Sequence, residues 1–197
     1  MTQPDRNTAP MVRLRAYVTC MTTIVEEEPY AAVVVNDLLN TVCSYCFHTN
    51  EEKPFSRCAR CRVVRYCCTD CQKKDWNDVH KEECGFLSRV APRLPTPMAR
   101  LLARLAIKRE KGDNASVKAF NGRTFEDLMD HIDDIRNDAE RLEFFTCLSF
   151  VLRDYVSADT LPDAVTLMKY FGRLLHDTDD DNYDTPIDNN VIENAEL

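Results

Sequence analysis

The sequence contains no long apolar run. Its longest aliphatic stretch is residues 31–35, far short of the roughly 20 apolar residues that span a bilayer. Residues 1–30 lack the apolar core of a secretory signal. These absences exclude a helical membrane anchor of the ordinary kind and predict a soluble protein inside the cell, in nucleus or cytoplasm. Excess basic charge is missing too. The formal net charge is −8, which argues against generic nucleic-acid binding by the whole chain. One end lacks basic residues altogether: residues 177–197 hold eight acids and no Lys or Arg. That composition predicts a disordered acidic tail.

Cysteine, by contrast, is plentiful: ten of 197 residues. In a reducing compartment clustered cysteines bind metal more often than they form disulfides. Seven fall in paired spacings between Cys43 and Cys84, with Cys68 among them, and only Cys20 and Cys147 stand apart. Staples for a secreted fold would be spread more widely.

The rest of the chain divides by pattern. Residues 1–10 are polar and expected to be disordered. Short β-prone stretches follow at residues 12–19, 22–25 and 30–35. Pro92, Pro95 and Pro97 form a stiff linker after the cysteine region. Beyond it the period becomes helical. Met98, Leu101, Leu102, Leu105 and Ile107 predict a helix that Gly112 ends. Thr124 and Asp127 form a capping pattern for a helix carrying Leu128, Ile132 and Ile135. Leu142, Phe145, Leu148, Leu152 and Tyr155 step by three and four along one face. Pro162 opens a last helix with Leu167, Tyr170, Phe171 and Leu174 on its apolar side.

The cysteine array reads Cys43-x2-Cys46-x11-Cys58-x2-Cys61-x5-Cys67-x3-Cys71-x8-His80-x3-Cys84. Eight soft donors make two sets of four, and structural zinc takes four tetrahedral N or S ligands. A Cys-x2-Cys pair presents two thiolates from one tight turn. The spacings from Cys67 to Cys71 and from His80 to Cys84 suit a helical turn. Cys68-x2-Cys71 would also make a knuckle, so Cys67 and Cys68 compete for one position. Arg57, Arg60, Arg62, Arg65, Lys73 and Lys74 surround the array; they offset thiolate charge or, on a sharper reading, contact nucleic acid.

The run from Cys61-Arg-Val-Val-Arg-Tyr-Cys67 through Cys71-Gln-Lys-Lys-Asp-Trp76 to His80-Lys-Glu-Glu-Cys84 resembles a MYND finger. The resemblance implies an interleaved partition: Cys43, Cys46, Cys67 and Cys71 on one zinc, and Cys58, Cys61, His80 and Cys84 on the other. It favours Cys67 over Cys68. It also implies that Gln72 and Trp76 help form a groove for proline-containing peptides, although Trp76 packing over the zinc core is an alternative reading. Both sites are closed, so the expected cofactors are two structural Zn²⁺ ions.

The flanks resemble the SET-and-MYND protein-lysine methyltransferases. Leu14-Arg-Ala16 and the segment from Ile24 to Tyr30 are similar to the first SET strands, and residues 98–173 to the helical insert. Ile192-Glu-Asn-Ala-Glu196 is similar to the next SET segment. Departures stand beside these similarities. The family's Gly-x-Gly cofactor loop is Met11-Val-Arg13 here, no histidine follows Asn, and no glycine precedes Glu. No catalytic or cofactor-binding residue is therefore assigned. Asp133, Asp134, Asp179, Asp180 and Asp181 read as solvated acids, His131 and His176 as ordinary helix residues, and Cys20 and Cys147 as unreactive thiols.

The expected fold is α+β: partial SET-like strands over 11–42, a two-zinc finger over 43–84, a helical bundle over 92–176 and the tail over 177–197. The expected function is non-catalytic protein–protein interaction, with proline-containing segments of partners, chromatin-associated proteins among them. A truncated lysine methyltransferase is the first alternative and a nucleic-acid-binding zinc protein the second.

Overall fold

The computed structural model describes residues 29–50, 52–112, 122 and 124–175. The expected strands at 12–19 and 22–25, both terminal segments, Cys20 and His176 lie outside them. The expected α+β class is what the described residues show. Two strands, β1 (Ser56–Arg57) and β2 (Arg65–Tyr66), pair antiparallel with Ser56 opposite Tyr66. Six helices follow: α1 (Thr69–Asp75), α2 (Lys81–Val90), α3 (Pro97–Glu110), α4 (Ile132–Asn137), α5 (Ala139–Tyr155) and α6 (Ala164–Leu175). No helix among the described residues is long and apolar enough to cross a membrane.

Helix α1 runs through a wide π turn, Trp76–His80, into α2. Such turns insert an extra residue into the helical ladder and recur at functional positions. Here the turn carries His80 into the interior.

Helix α3 is the centre of the molecule. Pro97 fills its first turn, where a missing N–H costs nothing. The Thr96 hydroxyl accepts from the Ala99 amide at 3.3 Å. Its apolar residues Leu102, Leu105 and Ile107 are buried as the period predicts, and Gly112 follows the helix at φ 67°, a left-handed conformation that suits glycine. The same helix buries Arg100, Arg104 and Lys108, one turn apart.

Those side chains explain residues 30–35. The β-prone sequence suggests a strand, yet no ladder forms there among the described residues. Buried carbonyls need partners, and side chains supply them: Arg100 Nη2 donates to Val34 O, and Arg104 Nη1 donates to Ala32 O at 3.1 Å. An extended segment is held by a helix instead of by a sheet.

The expected helix from Thr124 also differs. Its capping box forms, but closes only one 3-10 turn, Phe125–Asp127. His131 adopts a left-handed backbone (φ 47°), and α4 begins after it. Helices α5 and α6 complete the bundle as predicted, capped by Asp138 and Asp163. Gly172 of α6 lies against α4's approach: a Cβ there would sit 1.9 Å from Asp130 O.

Candidate metal centre

Each Cys-x2-Cys pair is shaped by a turn of one design. The Phe47 amide donates to Cys43 O at 3.0 Å, and the Arg62 amide donates to Cys58 O at 3.0 Å. The residue four past the first cysteine is left-handed in both, Phe47 at φ 57° and Arg62 at φ 60°. The first knuckle is fastened to β2 by the Ser44 amide donating to Arg65 O at 2.8 Å, and the second to the residue before β2 by the Cys58 amide donating to Val64 O at 2.9 Å. The fold thus fixes four cysteines before any side chain is considered.

Helical positions complete both sets. Cys71 lies in α1, Cys84 in α2 and His80 at the π turn, whereas Cys67 precedes the helix and Cys68 caps it with an extended backbone (φ −152°). So Cys67 and Cys71 meet across a helix start, not along one helical face.

The side chains gather as two groups: Cys43, Cys46, Cys67 and Cys71, and Cys58, Cys61, His80 and Cys84. Within each, the donor atoms lie within 4.8 Å of one another. This is the interleaved partition that the resemblance implies. Zn–S bonds of about 2.3 Å in a tetrahedron set S···S separations of about 3.8 Å. Cys46 and Cys67 stand 3.5 Å apart, Cys67 and Cys71 3.5 Å, and Cys58 and Cys84 3.8 Å. His80 Nε2 is 3.7 Å from Cys61 Sγ. The nine described cysteines are all free, so the crowding is not a disulfide framework.

Proton affinities in the second group describe a pocket built for positive charge. Burial works to raise Cys58, but the amides of Cys61 and Arg60 together with His80 bring it down to about 7. Cys84 goes the other way, pushed up to about 12 by burial and by the charges of Cys61 and Cys58. His80, despite burial, is raised to about 10 by Cys61, Glu83 and Cys58. Thiolates packed this closely repel one another, and a divalent cation relieves that repulsion. The donor set, spacing and charge fit zinc.

The two groups differ in access. Cys58, Cys61, His80 and Cys84 are all at most 3% exposed. Cys46 and Cys67 of the other group are exposed to solvent. The buried group has a charged neighbour behind it. His80 Nδ1 lies 3.9 Å from Glu83 Oε2, on the side from which a carboxylate would orient a ligating imidazole but beyond hydrogen-bond distance, and it has no hydrogen-bond partner among the described residues. Burial opposes ionisation of Glu83, yet Arg104 and His80 hold it down to about 2. Arg104 also meets Asp75 Oδ1 at 3.3 Å, and the Tyr66 hydroxyl donates to Asp75 Oδ2 at 2.6 Å. Sequence reasoning missed this network; four-residue spacing of Arg100, Arg104 and Lys108 was its one visible sign.

The MYND finger family matches residues 43–84. The chain carries a MYND finger. Its two donor groups fit the two zinc sites of such a finger. Similarity extends past the finger to SET and MYND domain methyltransferases. The human histone-lysine N-methyltransferase SMYD3 is 31% identical over 149 residues, 75% of this chain and 34% of that protein. Histone-lysine N-methyltransferase ASHR1 of Arabidopsis thaliana is 39% identical over 89 residues, 44% of this chain and 18% of that protein. The human N-lysine methyltransferase SMYD2 is 32% identical over 112 residues, 55% of this chain and 25% of that protein. The chain therefore spans about a third or less of the length of these relatives.

Gln72 and Trp76 sit one turn apart, with the Trp76 amide donating to Gln72 O. Both are half-buried. The Trp76 ring meets His80 edge-on, centroids 5.8 Å apart, so the packing reading of Trp76 is realised in part. Cys147 is exposed on α5. His131 Nδ1 pairs with Asp134 at 2.9 Å, which occupies both residues locally.

Proposed function

We propose that the finger is a zinc-organised docking module for proline-containing segments of partner proteins, contacted at Gln72 and Trp76. The observation that carries this reading is that both donor groups are complete sets of four. A zinc ion with four protein ligands has no open position for a substrate, so its contribution is structural. What zinc then organises is the helix bearing Cys71, His80 and Cys84, and Gln72 and Trp76 stand on that helix. A half-exposed indole beside an amide suits the preformed polyproline II conformation, whose stiffness lowers the entropy lost on binding. The names of the relatives, histone-lysine methyltransferases among them, support chromatin-associated proteins as the partner class.

A second reading is that this chain corresponds to part of a lysine methyltransferase, in which the finger would recruit a substrate or partner. It is favoured by similarity that covers 149 residues, well beyond the finger.

Trp76 is the only tryptophan, so its fluorescence reports directly on its own surface. Titration of the zinc-loaded chain with a proline-rich peptide should shift that emission saturably. The same peptide with alanine for each proline should not. An unchanged spectrum at saturating peptide, with calorimetry also silent, overturns the docking reading.

A further inference from the structure

The most exposed metal group has a fifth thiol beside it. Cys68 Sγ lies 3.9 Å from Cys67 Sγ. It is exposed, as are Cys46 and Cys67, and it is not one of the four clustered donors. Two independent observations make it more than a bystander. Its spacing to Cys71 is the same x2 spacing that Cys43 keeps with Cys46 and Cys58 with Cys61, a separation from which one turn presents two thiolates. And it is the N-cap of α1 with an extended backbone and no side-chain capping bond, so its thiol is not committed to the helix end.

We propose that Cys68 is a substitute ligand for the exposed zinc, replacing Cys67 when that thiolate leaves the metal. The exchange is a ligand substitution without redox change: the Zn–S bond to Cys67 breaks, Cys67 takes up a proton from water, and the Cys68 thiol gives up its proton as its own Zn–S bond forms. Four sulfur ligands hold the metal before the exchange and after it. The buried group has no counterpart among the described cysteines, since Cys58, Cys61 and Cys84 have no further thiol adjacent in sequence. Exchange is therefore confined to one of the two ions. The inference rests on the zinc assignment, and zinc content of the unaltered chain tests that assignment separately.

The test uses the zinc-loaded chain and three variants, Cys67→Ala, Cys68→Ala and the double variant, with zinc per chain read by native mass spectrometry. The two single variants should each keep two ions, and the double variant should keep one. Cobalt substitution adds a spectroscopic reading: sulfur-to-cobalt charge-transfer intensity should be the same in Cys67→Ala as in the unaltered chain. Iodoacetamide should label Cys68 in the unaltered chain and fail to label it in Cys67→Ala. Loss of one zinc from Cys67→Ala, or failure of that variant to fold with zinc present, overturns the proposal. So does a double variant that still holds two ions.

Discussion

Arg104 and Glu83 meet as a two-pronged ion pair in the interior, Nε to Oε1 at 2.9 Å and Nη2 to Oε2 at 2.6 Å. The pair ties α3 to the helix that carries His80 and Cys84. It is the point at which the helical bundle and the buried metal group become one structure. Arg104 also reaches Asp75 and the carbonyl of Ala32, so a single guanidinium satisfies three separate segments.

Removing one member of a buried pair leaves the other charged and without compensation, at a cost of about 3–5 kcal/mol. Arg104→Ala should lower the unfolding free energy by that amount in urea denaturation of the zinc-loaded chain. Arg104→Lys should recover only part of it, because an ammonium cannot bridge both carboxylate oxygens as a planar fork does. A loss below about 1 kcal/mol for Arg104→Ala, the range of surface pairs, would contradict the role given to this contact.

Glu83 Oε2 lies 3.9 Å from His80 Nδ1, a buried nitrogen with no hydrogen-bond partner among the described residues, so Glu83 is the group placed to orient His80 when zinc is bound. Glu83→Gln should weaken zinc at the buried group by about 10–100-fold, the usual effect of removing such a support, while the exposed group keeps its affinity. Competition with a chromogenic chelator resolves the two ions by their release. Equal release from both groups, unchanged from the parent chain, would count against the positioning role.

Two glycines make opposite predictions. At Gly172 a Cβ would meet Asp130 O at 1.9 Å, a backbone contact that cannot give way cheaply. Gly172→Ala should be strongly destabilising by thermal unfolding. Gly85, inside α2, has only Arg60 Nη2 within reach at 3.9 Å. Alanine is the better helix former by about 0.8–1.0 kcal/mol, so Gly85→Ala should raise stability with zinc content unchanged.

The finger was legible because ligand spacing reports local turn geometry, and turns are local. Helices α3, α5 and α6 were legible because Leu102, Leu148 and Phe171 repeat with the helical period. What sequence did not reveal has a common cause. Ala32 O and Val34 O are backbone acceptors with no residue signature, and their donors, Arg100 and Arg104, resemble a solvated helix face until α3 is placed in the centre. Phe47 and Arg62 are left-handed with no glycine to announce it. The Thr124 capping pattern is real, but Leu128 turns to an extended backbone (φ −75°, ψ 139°) and ends the helix after one 3-10 turn. The docking role of Gln72 and Trp76 is a proposal that rests on their place on the zinc-bearing helix.

By the resemblance to the methyltransferases, Met11-Val-Arg13 stands where that family carries a Gly-x-Gly cofactor loop. Glycine lets a backbone approach a ligand closely, and none of these three residues is glycine. Calorimetric titration of the purified chain with S-adenosylmethionine should therefore show no binding heat at micromolar concentrations. Saturable binding in that range would favour the methyltransferase reading over docking alone.

Two zinc ions, one in each donor group, are expected to hold residues 43–84 in shape. Native mass spectrometry joined to amide hydrogen exchange, before and after a strong chelator, tests this most directly. Two ions per chain should be present at first, and their removal should abolish protection across the finger, including the Phe47 and Arg62 turns. A metal-free chain that keeps its protection in chelator would contradict the account.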